Sequence, residues 1–405
     1  MSKIKLKDVV FYSKERIPYG ELKLESYVST ENLLQNKQGV TRIDALPASI
    51  NNTTKYSAGN ILISNIRPYL KKIWYAKNDG GVSSDVLTFV VRNDFDSRFV
   101  YYNLFQDMFF DHTMAGSKGT KMPRGDKNQI LEFEIPNLNL PTQQKIASVL
   151  STLDDKIELN SKINAELEAM VKTLYDYWFI QFDFPNAHGK PYKSSGGKMV
   201  WNDALKREIP ERWEVKELGD IAAINAGGDK PDLISKVKTE DYRIPIFSNG
   251  STNEGLYGYT KLAKISEPSI TISARGTIGY TVLRNESYFP IIRLISIIPK
   301  VKYRALFFYY EIKNLVFENS GSVQQQLTVP HVSKLRILNP ASAVLNSFFT
   351  QTNQIIKKID LNKKQNHELA SLRDWLLPML MNGQVTVAEA KEKVGMVAEG
   401  SVSYK

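Results

Sequence analysis

The sequence predicts an α+β protein in which two mixed α/β domains stand in tandem, separated by two long antiparallel helices that form a coiled-coil rod with a pseudo-twofold axis. Three observations carry this expectation. Residues 141–181 read as one uninterrupted helix: Pro141 suits the first turn, and no glycine or further proline follows until Pro185. Stepping by three and four gives a seam of Ile146, Leu150, Leu153, Ile157, Asn160, Asn164, Leu167, Val171, Leu174 and Trp178. The same seam returns 202 residues later as Phe348, Thr352, Ile355, Ile359, Asn362, Asn366, Leu369, Arg373, Leu376 and Leu380.

The repeat is more than shared helical composition. Between 157–174 and 359–376 eight of 18 positions are identical, where unrelated segments share roughly one or two. Anchors outside the helices agree. Leu6-Lys7-Asp8 matches Leu218-Gly219-Asp220, Arg67 matches Arg275, Gly116-Ser117 matches Gly321-Ser322, and Pro136 matches Pro340, at shifts of 212, 208, 205 and 204. A steady drift toward 202 is what loop-length differences in a duplicated unit produce.

The elements follow in order. Residues 1–140 form the first domain: 61–76 and 85–92 have the β-branched and aromatic content of strands, 97–110 steps as a short buried helix, 111–129 is a glycine- and lysine-rich loop, and 130–140 is a last strand. The first long helix spans 141–181 and, at 1.5 Å per residue, reaches roughly 60 Å. Residues 182–200, rich in Pro, Gly and Ser, read as a linker. The second domain, 201–342, repeats the plan with strand-like 269–283, a helix over 303–314, a loop over 319–329 and a strand over 335–340. The second long helix spans 343–382, and 383–405 is a tail without a clear pattern.

The first helix leads away from the first domain and the second starts from the second, so burying the two seams against each other makes the helices antiparallel. Asn160 and Asn164 then come near Asn362 and Asn366. Asparagines in an apolar seam lower stability but fix register, because a slip leaves their amides unpaired. The alternative places them on the exposed edge of a wider stripe with Leu159 and Ile163.

Length and composition bound the function. A chain of 405 residues exceeds one ordinary core. No run approaches the roughly 18 apolar residues of a membrane span, and the N-terminal MSKIKLKDVV lacks an apolar signal core, so a cytoplasmic protein without membrane contact is expected. The absence of cysteine removes disulfides, thiolate metal sites and cysteine nucleophiles. A net charge of +10 favours an anionic partner.

No constellation argues for catalysis. GxxxxGK[ST] and HExxH are absent, and histidines 112, 188, 331 and 367 are scattered. Asn339-Pro340-Ala341 falls short of the Asn-Pro-Pro-aromatic loop of amino-methyltransferases, and no metal site is expected. The loops carry a different vocabulary. In the first domain Arg67, Lys71, Lys72, Lys118, Lys121, Arg124 and Lys127 cluster among glycines. At comparable places the second offers Ser248, Asn249, Arg275, Gln324, Gln325 and Gln326. Arg and Lys suit phosphates and the O6/N7 edge of guanine, whereas Asn and Gln make bidentate bonds to adenine. Two related scaffolds with unlike loops suit a reader of two unlike DNA half-sites.

Three stretches, GSKGTKMPRGDKNQILEFEIPNLNLPTQQKIASVLSTLDDKIELNSKINAELEAMVKTLYDYWF, FDFPNAHGKPYKSSGGKMVWNDALKREIPERWEVKELGDI and RDWLLPMLMNGQV, resemble the specificity subunits of type I restriction-modification enzymes. With the doubled plan, the resemblance covers essentially the whole chain. The start of the second helix, NPASAVLNSFF, departs from it by lacking the Pro-x-x-x-Gln pattern of Pro141 to Lys145. The resemblance implies a non-catalytic reader of double-stranded DNA whose two target-recognition domains each take one half of an asymmetric split site. It also implies a rod that sets the gap and docks two methyltransferase subunits, and through them the restriction subunits. S-adenosylmethionine, ATP and magnesium would then be held by those partners, and no cofactor by this chain. The competing readings are a coiled-coil scaffold without a nucleic-acid role and a stand-alone DNA-modifying enzyme.

Overall fold

The computed structural model describes residues 2–47, 51–119, 121–315 and 326–398. They fall into two compact units: residues up to Lys162 with those from Leu361 onward, and Ile163–Asp360.

In the first unit, strand Lys3–Lys5 pairs antiparallel with Glu134–Pro136 and runs into a helical turn, Leu6–Val9. A four-stranded sheet follows in the order Val10–Tyr12, Val86–Val91, Ile61–Ser64, Ile73–Tyr75. Its central strand, ILIS, is buried along its whole length, as expected of an apolar run covered on both faces. Helices Ser97–Phe105 and Asp107–Ala115 share the sheet's core through Phe99, Val100, Leu104, Phe109 and Phe110. The first starts where it does because Asp96 caps it, accepting from the Phe99 amide at 2.8 Å. A second sheet, ordered Arg16–Pro18, Asn52–Tyr56, Gly80–Val82, Tyr27–Val28, has a small core of its own.

The second unit repeats the antiparallel pair and the four-stranded sheet strand for strand. Glu214–Glu217 pairs antiparallel with Arg336–Asn339, and the turn Leu218–Ile221 matches Leu6–Val9. The sheet runs Ala222–Ala226, Ile295–Pro299, Ser269–Ile272, Thr281–Arg284, the same order as in the first unit. Helix Ala305–Lys313 stands where Ser97–Phe105 does. Differences lie outside the shared frame: a three-stranded sheet (Leu256–Thr260, Ile244–Phe247, Phe289–Pro290) and a hairpin of Met199–Asn202 with Arg207–Pro210.

Each unit includes part of both long helices, Leu140–Tyr175 and Ser342–Met381. The first continues into a π-helical turn, Asp176–Ile180, and proline sits inside the second at Pro378. Within the first unit Ile146, Leu150 and Leu153 share a core with Leu369, Leu376 and Leu380; within the second, Val171 and Trp178 share one with Phe348. A fully buried Leu or Phe is worth about 1.5–3 kcal/mol, and these positions supply it at helical spacing. Pairing is antiparallel in both units: Asp154 meets Arg373 and Asn160 meets Asn366 in the first, while Asn164 meets Ile359 and Trp178 meets Phe348 in the second.

Two stretches are more ordered than composition suggested. In 182–200, read as a linker, Asp183 accepts from the Ser194 amide at 2.7 Å and hydroxyl at 2.5 Å, and Phe184 stacks between Tyr192 and Trp213 at 4.7 Å from each. Its Gly, Pro and Ser supply turn geometry for a packed connection. Within 383–405, read as a tail, Val387–Ala398 is a helix. Thr386 and Glu389 cap it reciprocally, the Thr386 amide donating to Glu389 at 2.8 Å and the Glu389 amide to the Thr386 hydroxyl at 3.3 Å. Ala390 and Val394 are buried in the first unit's core beside Leu377, Leu380 and Met381.

Candidate nucleic-acid interface

In each unit the central strand of the four-stranded sheet reverses into its neighbour, and the reversal carries an arginine. The sequence reads 61–76 and 269–283 as continuous strands; both are broken. In the first unit Ile61–Ser64 turns back into Ile73–Tyr75 through Pro68–Leu70, because Pro68 has no amide for a ladder and Arg67 and Lys71 on either side are left-handed, at φ 49° and 51°. In the second, Ser269–Ile272 turns back into Thr281–Arg284 through Gly276 and Gly279, at φ 71° and 83°.

The first reversal is tied to two other loops. The Arg67 amide donates to the Pro123 carbonyl at 2.7 Å, and Lys118 and Arg124 exchange backbone bonds at 2.9 and 3.0 Å. This brings the exposed Arg67, Lys118, Lys121 and Arg124 to one corner. Lys118 lies 3.3 Å from Asp126 and Arg124 3.0 Å from Asp85. Exposed pairs of this kind are worth about 0–1 kcal/mol, so phosphate can displace them. From the other side, the Asn36 amide donates to the Leu70 carbonyl and the Lys37 amide to the Lys71 carbonyl, both at 2.9 Å.

The remaining basic candidates are engaged elsewhere. Lys71 donates to Asp107 at 2.7 Å, and Lys72 to the Thr30 carbonyl. Burial, with Arg67 nearby, lowers the Lys72 pKa. Lys127 lies over the Tyr12 ring at 5.9 Å. Sequence reasoning missed Lys37 and Asp107: Lys37 lies 30 positions before Arg67 and Asp107 36 after Lys71, and they join these residues only in space.

In the second unit Arg275 is exposed and donates to Gln326 at 2.6 Å, so these two candidates meet. Gln324 and Gln325 lie outside the described residues, as does the Gly321-Ser322 anchor. Asn249 is the clearest departure from the sequence reading. Its side-chain oxygen accepts from the Ala274 amide at 2.7 Å and its nitrogen donates to the Ile292 carbonyl at 2.6 Å. Both ends of its amide are thus spent on holding neighbouring loops. The Ser248 amide donates to the Gly255 carbonyl at 2.9 Å, closing the same turn.

Arg284 supports that turn from beneath and was not legible as a site residue. Only 6% exposed, it lies 3.5 Å from the Phe247 ring centroid and donates to the Glu254 carbonyl at 2.5 Å and the Thr271 hydroxyl at 3.1 Å. Burial lowers its pKa to about 10. Glu254, left-handed at φ 53° like Asn253 before it at 47°, is held in place by this guanidinium.

Three of the four seam asparagines, Asn160, Asn164 and Asn362, are buried and Asn366 is half-buried, so the seam and not an exposed edge holds them. Asn160, 2% exposed, donates to Gln365 at 2.8 Å and Asn366 at 2.9 Å. Asn366 donates back to the Ile157 carbonyl at 3.2 Å and the Ser161 hydroxyl at 3.1 Å. Asn164 donates to the Ile359 carbonyl at 3.3 Å, and Asn362 is buried. Further along the first unit's seam, Arg373 donates to Asp154 at 2.7 Å and lies 4.6 Å from the Phe105 ring, while Tyr102 donates to the same carboxylate at 2.7 Å. Burial opposes the Arg373 charge, but Asp154 and Asp374 outweigh it and raise its pKa. Among the described residues no three His, Asp or Glu gather as metal ligands, and no helix is long and apolar enough to cross a membrane.

Known proteins share this organisation. The MjaIX type I restriction enzyme specificity subunit of Methanocaldococcus jannaschii is 27% identical over 354 residues, covering 82% of this chain and 79% of that protein. A putative type I specificity subunit of Mycoplasma pneumoniae is 30% identical over 322 residues, covering 76% and 81%. The crystal structure of the S subunit of a type I restriction-modification system from M. genitalium has the same fold, with a TM-score of 0.55 at 17% identity over 94% of this chain and 95% of that one. Residues 1–169 and 210–371, well over half the chain and spanning both arginine-bearing reversals and most of both long helices, match the Type I restriction modification DNA specificity domain; the chain therefore belongs to that family and is a DNA specificity subunit, the non-catalytic component of a type I restriction-modification enzyme.

Proposed function

We propose that each unit reads one half of a split, asymmetric DNA site in the major groove, and that the paired helices set the unread gap and dock two methyltransferase subunits. The observation that carries this is the placement of Arg67 and Arg275 at the same reversal of the same sheet with unlike companions. Arg67 stands among Lys118, Lys121 and Arg124, whereas Arg275 pairs with Gln326. A duplicated frame with different chemistry at one place suits two different half-sites. S-adenosylmethionine would be held by the methyltransferase subunits, ATP and magnesium by restriction subunits joined through them, and the assembly would act on DNA in the cytoplasm.

Mapping methylated adenines in the DNA of a host carrying the complex tests the reading. A single two-part motif with a fixed gap is expected; methylation without sequence preference would refute it. Inserting one heptad into each long helix should lengthen the gap and leave both half-sites unchanged. Altered bases with an unchanged gap would contradict the assignment of spacing to the helices. The scaffold reading is separated by salt: phosphate contacts give a log-log affinity slope of about −0.9 per phosphate neutralised, and a scaffold without a nucleic-acid role gives no DNA affinity to measure.

A further inference from the structure

We propose that Asp107 is a positioning residue: it converts Lys37 and Lys71 from phosphate ligands into struts and thereby fixes the Arg67–Tyr69 tip that the first unit presents to DNA. The inference rests on the DNA-reading role proposed above. Each oxygen of Asp107 takes one lysine, Lys37 at 2.6 Å and Lys71 at 2.7 Å. The lysines are the sheltered partners, at 18% and 30% side-chain exposure against 59% for Asp107. Lys37 also lies 4.9 Å from the Phe105 ring centroid, so an aromatic face and a carboxylate hold its ammonium together.

The two lysines belong to separate loops whose backbones are strained. Asn36, Lys37, Arg67 and Lys71 are all left-handed, at φ 54°, 63°, 49° and 51°, a region that non-glycine residues keep only where their surroundings enforce it. Backbone bonds from Asn36 and Lys37 to Leu70 and Lys71 join the loops, and Asp107 joins them again through their side chains. Between the struts the chain carries the exposed Arg67 and Tyr69, the latter 50% exposed. Both lysines hold their partner's pKa below the ordinary carboxylate value, against burial, which acts to raise it.

An ordinary structural ion pair and a positioning clamp differ in what its loss does to DNA binding. In the assembled methyltransferase complex, Asp107→Asn frees two cations beside the duplex. Non-specific affinity is expected to rise at low salt and the log-log salt slope to steepen by up to about 1.8, or 0.9 for each freed lysine. At the same time the half-site altered by Arg67→Ala should become degenerate in mapped methylation, and the other half-site should stay as it was. Lys37→Gln with Lys71→Gln, which removes the struts without freeing charge, should relax the same half-site without steepening the slope. It decides the question alone should Asp107→Asn fail to fold. An unchanged slope with both half-sites intact overturns the clamp, as does loosening of both halves together. A wild-type complex without sequence preference instead overturns the DNA-reading role itself.

Discussion

Asn160 and Asn249 have the same chemistry and opposite legibility. Helical spacing places Asn160 on a seam, and there its amide bridges to Gln365 and Asn366. Asn160→Ala would leave those two groups short of a buried partner, which costs about 1–3 kcal/mol; a urea midpoint unchanged from the parent would contradict this. Nothing in the local sequence of Asn249 announces that both ends of its side chain are consumed by Ala274 and Ile292, which lie 25 and 43 positions away. Loop residues face inward or outward according to tertiary contacts that periodicity does not encode, which is also why Lys71 and Lys72 read as free cations. Glu311 is a further residue that pattern alone hides. It accepts from Tyr175 at 2.5 Å, and burial raises its pKa. Its folded value lies above the ordinary 4.5, so the stability it contributes is full below pH 4.5 and is lost as the pH rises through the folded value. Glu311→Gln should flatten that fall, measured as unfolding free energy against pH; a profile parallel to the parent's would refute the assignment.

At the scale of elements, the long helices were legible because their seam repeats at a fixed shift, with Leu159, Asn160, Asn164 and Leu167 recurring at 361, 362, 366 and 369. The strands were found but not their breaks: ILIS and SITI are strongly apolar, and the reversals after them depend on the left-handed Arg67 and on glycines 276 and 279. The helix Val387–Ala398 was missed although Val387, Ala390 and Val394 keep helical spacing, since three small apolar residues among Glu and Lys make a weak stripe. Its contribution can be measured. Thr386→Ala removes one side of the capping box and should cost about 1 kcal/mol, lowering the urea midpoint of the first unit's unfolding while DNA-motif choice stays the same. No change in that midpoint would mean that the helix adds nothing to the core it touches.

At the scale of the whole molecule, duplication explains most of what the sequence revealed, and departures from it show where the halves were made different. The seam provides one such departure. Asp154 and Arg373 form a half-buried ion pair in the first unit, whereas their counterparts at the shift of 202 are Ile356 and Val171, which belong to the second unit's apolar core. Each helix therefore carries a mark of identity. A first helix offered to a second copy of itself in the same register would set Asp154 against Val171 and strand a carboxylate among hydrocarbon; two second helices would strand Arg373 against Ile356. Breaking one member of a fully buried pair costs about 3–5 kcal/mol, and less where the pair is half-buried, whereas replacing both with apolar side chains is often neutral or stabilising. Asp154→Ile with Arg373→Val should thus match or exceed the parent in stability, while Asp154→Ile alone falls well below it. When two differently tagged full-length preparations of the double variant are unfolded and refolded together, mixed-tag dimers should increase over the parent. Equal mixing would mean that the pair does not discriminate. A protein built by doubling faces the hazard that its halves accept the wrong twin, and here one charge on each helix is placed to refuse it.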